Sequence, residues 1–206
     1  MMQLKMSKSF NSIVIASHND GKVSEISSLL KPYGFKIISA KKLGINEPIE
    51  NGKTFEENSL IKSRNASKKS GLVALADDSG LCINSLNYRP GIYSARWAGK
   101  DKDFSVAMKK VENLMKKNDL LNKQNRRAFF VCSLSIYFPD GRNRSFNGRV
   151  NGHLQFPPKG MNGFGYDPIF VPKGYRKTFG EMNFQFKERI SHRNIAFKKL
   201  IKFLKH

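Results

Sequence analysis

Two aspartates in succession, Asp77 and Asp78, follow the apolar run Leu72-Val73-Ala74-Leu75-Ala76 and precede Ser79-Gly80. Adjacent carboxylates repel each other and are tolerated best where a cation or hydrogen-bond donors compensate them. Mg²⁺ suits such a place. It binds through one or two carboxylates and takes water and substrate phosphate as its other ligands, so a nearby carboxylate can also orient an attacking water. The plainer reading is an Asx turn that caps the end of a strand.

Three further segments carry usable chemistry. Ser17-His18-Asn19-Asp20-Gly21-Lys22 joins a short β-branched run, Ile13-Val14-Ile15-Ala16, to a helical pattern. Backbone amides at a helix start, with a lysine beside them, hold a polyanion. The segment is no GxxxxGK[ST] loop, which excludes an ordinary P-loop. Gly163-Phe164-Gly165-Tyr166-Asp167-Pro168 sets two aromatics and a carboxylate around flexible glycines. The ring faces can stack on a nucleobase and Asp167 can accept from ring N–H groups, although a tight turn with a buried aromatic would look the same. Ser191-His192-Arg193 stands at the expected start of the last helix, with Ser191 as N-cap and two donors after it.

The elements that must position these residues follow from spacing. Val23, Ile26, Leu29 and Leu30 recur at helical intervals after the Ser17–Lys22 loop, and residues 35–38 read as a second strand. Thr54 and Glu57 have capping-box spacing for a helix to about Lys69, with Gly71 as its stop. The apolar strand 72–76 should end at the aspartates, with extended chain resuming at Leu81-Cys82-Ile83. Residues 104–117 read as an amphipathic helix, and 127–138 as a long strand turning at Pro139-Asp140-Gly141 into a hairpin partner. Residues 157–165 form a loop, and 191–204 a closing helix with Ile195, Leu200 and Leu204 inward. Strand–helix units followed by an antiparallel pair indicate an α/β fold with a mixed sheet.

The chain has 206 residues, 37 Lys+Arg against 16 Asp+Glu, and a formal net charge of +21. That balance suits nucleic acid, anionic lipid or a polyphosphate substrate, and much of it reads as solvated lysine on helix faces. Cys82 and Cys132 lie far apart in apolar stretches without metal-ligand spacing, so reduced core thiols are expected. The apolar run after the polar start is too short for a signal sequence or membrane span, which leads to the expectation of a soluble cytoplasmic protein without membrane association.

Taken in order, these segments resemble the inosine triphosphatase family of non-canonical purine NTP pyrophosphatases. The resemblance spans about Ile13 to Leu204. It rests on Ser17–Lys22, Thr54-Phe55-Glu56-Glu57-Asn58-Ser59 with Lys62, Ala76–Leu81, residues 90–99, Gly163–Phe170, Thr178 with Glu181, and Lys187 ahead of Ser191-His192-Arg193. It implies an elongated, two-lobed α/β fold with a mixed, twisted sheet flanked by helices and a substrate cleft between the lobes. One domain would cover 12–205, behind a polar extension at 1–11, usually as a homodimer. It also implies hydrolysis of ITP, dITP and XTP to monophosphate and pyrophosphate with Mg²⁺, and no specific nucleic-acid binding. By the same resemblance Asp78 is proton acceptor and metal ligand, and Ser79 touches substrate. Ser17, His18, Asn19, Asp20, Gly21, Lys22 and Lys187 hold the triphosphate. Phe164, Gly165, Tyr166 and Asp167 receive the purine, whose 6-oxo edge His192 and Arg193 read. Ile49 stands where the family often has an acidic residue, leaving the second metal ligand open between Glu50 and Glu47. Two other readings compete: a nucleic-acid-binding protein, and a nucleotide-binding regulator without catalysis.

Overall fold

A computed structural model describes residues 10–205, so the expected extension at 1–11 lies almost wholly outside the described residues. In chain order the elements are β1 (Ser12–Ile15), α1 (Asp20–Leu30), β2 (Lys36–Ser39), α2 (Phe55–Ser70), β3 (Val73–Ile83) and α3 (Phe104–Lys117). They continue with β4 (Arg127–Tyr137), β5 (Asn143–Leu154), β6 (Phe170–Pro172), α4 (Phe184–Ile190) and α5 (His192–Leu204). The strands form one mixed sheet in the order β2-β1-β3-β4-β5-β6, with β1 parallel to β2 and β3, and β5 antiparallel to β6. The expected α/β class and mixed sheet are observed.

By contact clustering the chain divides into two compact units. The first comprises the chain up to Asp78, Cys132–Gly148 and the stretch from Arg193 on. Its central strands β1 and β3 are buried on both faces, as central parallel strands are, so Ile13–Ile15 and the start of β3 at Val73–Ala76 read as unbroken apolar runs. Period-two alternation divides them. Ile13, Ile15, Val73 and Leu75 pack with Ile26 and Leu30 of α1 and with Ala196, Phe197, Leu200 and Ile201 of α5. Val14, Ala16, Ala74 and Ala76 face the other way, with Ala66 of α2. The second unit, Ser79–Val131 and Arg149–His192, gathers Leu81 and Ile83 with Ala107, Val111 and Met115 of α3 and the aromatics Phe130, Phe170 and Phe179.

Helix termini follow their sequence signals, with one difference. The Thr54 hydroxyl accepts from the Glu57 N–H at 3.1 Å, but the Glu57 carboxylate accepts from Lys53 N–H at 2.6 Å, one residue further out than a capping box. Gly71 ends α2 at φ 68°, where any side chain would be strained. The expected break at the aspartates does not occur: β3 runs unbroken through Asp77 and Asp78. The last helix turns Ala196, Phe197 and Ile201 inward with Leu200, while Ile195 and Leu204 are only partly buried. Sequence reading also missed β6 and α4. Both are too short to show a period; Ser191, extended at φ −71° and ψ 155°, stands between α4 and α5 immediately ahead of His192, at the expected cap position, and its hydroxyl donates back to Glu188 O at 3.2 Å. No helix among the described residues is long and apolar enough to cross a membrane.

Candidate active site

Because β3 is continuous, its two aspartates project to opposite faces. Asp77 shares a face with Leu75 and is fully buried. Lys22 Nζ lies 3.2 Å from its Oδ1, while Arg193 approaches Oδ2 with Nη2 at 2.8 Å and Nε at 3.3 Å. The Arg193 Nη1 also donates to Glu25, from one turn along α1. Burial alone would raise the Asp77 pKa, but Lys22, Arg193 and Lys62 outweigh it and hold the carboxyl well below its usual range. Asp77 is thus a permanent anion that anchors Lys22.

Asp78 shares the face of Ala74 and Ala76, toward α2. Lys62 of α2 places Nζ 3.1 Å from Asp78 Oδ1 and 2.7 Å from Glu50 Oε1. The other oxygen, Asp78 Oδ2, is buried and has no hydrogen-bond partner. Burial, with Glu50 and Asp77 adding to it, outweighs Lys62 and Lys22 and pushes the Asp78 pKa above its usual value. A buried carboxylate oxygen without a donor is costly unless something electropositive meets it. Asp78 and Glu50, gathered on one lysine, therefore fit a hard divalent cation that keeps water and phosphate as its other ligands. Of the two candidates for the second metal ligand, Glu50 is the one beside Asp78. Glu47 accepts instead from His18 N–H at 3.0 Å. Among the described residues no group of three or more His, Cys, Asp and Glu is assembled to hold a metal unaided.

The Ser17–Lys22 segment is held by local bonds. The buried Ser17 hydroxyl accepts from Asn19 N–H at 3.2 Å, and Asn19 Oδ1 caps α1 by accepting from Lys22 N–H at 3.0 Å. Asp20 and Gly21 open the helix, whose first amides and Lys22 form the anion-attracting end expected of it. Ser79 follows Asp78 on β3, half-buried.

In the second unit Asp167 is the organising carboxylate. Its Oδ2 accepts from Phe164 N–H at 2.8 Å and from Lys187 Nζ at 2.6 Å, and the Lys187 ammonium stands 4.8 Å above the Phe164 ring. The half-buried Phe164 is the aromatic placed for stacking. Tyr166 is not: it is buried against Phe104 and donates its hydroxyl to Ser94 O at 2.9 Å, an anchor for the turn. Gly163 sits at φ 76°, and a Cβ there would lie 2.1 Å from Asp167 Oδ2. Gly163→Ala is therefore expected to displace Asp167 and Lys187 together and raise KM for substrate by about tenfold or more, a disrupted contact of about 1.5 kcal/mol. Steady-state kinetics of a variant with wild-type thermal stability checks it. Gly165, also at positive φ (70°), packs near Phe104.

His192 lies flat on Phe130, ring centroids 4.9 Å apart and planes within 11°. Arg193, expected to read a purine edge, is instead 1% exposed, its guanidinium turned to Asp77 and Glu25. The reason is helical geometry: consecutive residues at the start of α5 point in different directions, so only one of the two can face a given group. Lys62 and Glu25 were not among the expected site residues. Lys62 was legible, since it lies one residue beyond two turns of helix from Thr54, on the helix following a capping signal. Glu25 gave no signal beyond its place on α1.

Comparisons with known proteins show what the chain is similar to. The Ham1 family model matches residues 13–203. The chain is 49% identical over 189 residues to the dITP/XTP pyrophosphatase of Zymomonas mobilis, covering 92% of this chain and 90% of that protein. With the protein of the same name from Caulobacter vibrioides it shares 50% over 188 residues, covering 91% and 95%. Among solved structures, a HAM1 protein from Coxiella burnetii superposes with a TM-score of 0.85 at 37% identity, covering 95% of this chain and 98% of that one. Matched by the family model over residues 13–203 and by relatives 49–50% identical along nearly its full length, the chain belongs to the Ham1 family.

Proposed function

We propose that this protein hydrolyses dITP, XTP and ITP to the monophosphate and pyrophosphate with Mg²⁺ as the metal. The observation that carries the reading is Asp78: a buried carboxylate with one oxygen unmatched by any donor, beside Glu50, on a strand next to the anion-attracting start of α1. Bound Mg²⁺ would neutralise phosphate charge and lower the pKa of a ligated water. Asp78 and Glu50 would hold it. Asp78 accepts the proton of the water that attacks the α-phosphorus. Lys22, the amides of residues 20 and 21 and Lys62 place positive charge along the phosphates, where charge develops as pyrophosphate leaves. Names of relatives support the substrate class: those from Zymomonas and Caulobacter are dITP/XTP pyrophosphatases.

For the base, Phe164 supplies a stacking face and His192 a donor aimed by its stack on Phe130. Hypoxanthine and xanthine present an acceptor at position 6 where adenine presents an amino donor, so a fixed donor discriminates between them. His192→Ala is expected to cut kcat/KM for dITP and XTP by about tenfold or more and for ATP little, a hydrogen bond of about 1–2 kcal/mol. An equal loss on all three would move His192 to the phosphates. We take residues 12–205 as the catalytic domain, and the working form as a cytoplasmic homodimer. The test of the whole reading is product analysis with dITP and Mg²⁺. Equimolar dIMP and pyrophosphate are expected; dIDP with phosphate, or binding without turnover, overturns it.

A further inference from the structure

The second unit carries a depression of about 800 Å³ apart from the Asp167 cluster and His192. Lys123, Arg127, Arg149 and Lys173 line it together with Asn151 and His153, and no carboxylate does. Strand alternation places them there. On β5, Arg149, Asn151 and His153 are exposed while Leu154 enters the core, and on β4 Arg127 is exposed beside the buried Ala128. Gly152 keeps the floor open to close pairing, since a Cβ would lie 2.2 Å from Val171 O.

The arrangement has the marks of a built surface. Arg149 lies 3.5 Å above the Phe129 ring and donates Nε to Asn151 Oδ1 at 2.8 Å, so its guanidinium is fixed in place. Tyr88, 59% exposed, stands 5.8 Å from the same ring. Burial, then Lys123 and Arg126, pushes the His153 imidazole below its usual pKa. Four cations collected with no carboxylate among the described lining residues repel each other, and a polyanion relieves that repulsion. Fixed arginine, exposed aromatic and basic strand face together suit a backbone of phosphates.

We propose that this depression is a non-catalytic site for a chain of phosphates, supplied by single-stranded nucleic acid or by a free oligophosphate. Arg127 and Lys173 take no part in the proposed hydrolysis, so this inference and that reading fail separately. The probes are a fluorescein-labelled oligothymidylate of about 12 nucleotides, followed by anisotropy, and inorganic tripolyphosphate, followed by calorimetry. In the Arg127→Glu/Lys173→Glu variant, affinity for the true ligand is expected to fall at least tenfold. For the oligonucleotide, the salt slope of log K should also lessen by about 1.4, roughly 0.7 per lost contact. The kcat/KM for dITP and the sedimentation coefficient should both stay at wild-type values. Variant-sensitive binding of the oligonucleotide alone assigns the site to nucleic acid; of tripolyphosphate, to free oligophosphate. The proposal is overturned if wild type binds neither, if the variant binds both as wild type does, or if the substitutions only dissociate an oligomer while binding persists.

Discussion

Asp78→Asn is expected to lower kcat for dITP by about 10²–10⁴-fold while the fold survives, because loss of a general base alone has that magnitude. Asn is nearly the same size, so packing against Ala76 and α2 is unchanged. The charge it removes is one that burial already disfavours, as the raised pKa of Asp78 records. The sign follows: an acid whose pKa is raised on folding costs stability once pH passes its unfolded value, so a neutral amide at neutral pH loses none. Lys62 keeps Glu50 as partner at 2.7 Å. Metal-free Asp78→Asn should therefore melt at or slightly above the wild-type temperature. Its response to Mg²⁺ should be weaker, because a ligand that binds only the folded state stabilises it in proportion to its affinity. Two measurements check this, single-turnover kinetics and thermal melts with and without Mg²⁺. Near wild-type turnover would remove Asp78 from the chemistry. Asp77→Asn should differ in kind: it leaves Lys22 and Arg193 buried against a neutral group and is expected to destabilise the fold as well as impair turnover.

That contrast was not legible in the sequence, although both residues were. Two adjacent aspartates after an apolar run announce compensation by cations, and the structure supplies three. The division of labour depends on whether the strand ends at Asp77 or continues, and propensity argued for an ending. Tertiary ion pairing overrides it, because Lys22, Arg193 and Lys62 match each carboxylate on its own face of β3. Long periodic elements such as α2, α3 and β4 were legible to within a residue or two. The seven-residue α4 and three-residue β6 were not, being shorter than the periods that would reveal them. Site residues fared according to how local their partners are. Asn19 caps its own helix and Asp167 folds its own turn, so their spacing exposed them. Glu25 and Arg193 meet across 168 residues of sequence, and no local pattern encodes such a pair.

Arg193→Met is expected to cost about 3–5 kcal/mol of stability, the loss typical when one member of a buried ion pair is removed. At this chain length that is a fall of about 2–4 °C in Tm per kcal/mol. Met fills most of the aliphatic volume, so the effect isolates the charge. Without the guanidinium, Glu25 and Asp77 face each other as buried anions with Lys22 left to serve Asp77. Part of the loss should return in Arg193→Met/Glu25→Gln, which removes one of the two charges. The pH dependence has a definite sign. Asp77 has its pKa depressed on folding, so its stabilising contribution is complete above its unfolded value and is lost as pH falls toward the folded one. The gap in stability between wild type and Arg193→Met should accordingly narrow below about pH 4, where the unfolded chain takes up the proton. A gap that is the same at neutral and acid pH would mean that packing, not charge, is what Arg193 supplies. Kinetics adds an independent discrimination. If Arg193 acts through Asp77 to aim Lys22, the variant raises KM for dITP and ATP alike, since both carry the same triphosphate. If the guanidinium leaves its carboxylates and reaches a purine edge during turnover, the ratio of kcat/KM for dITP over ATP collapses instead, and the buried network is only the resting position of a base-reading residue.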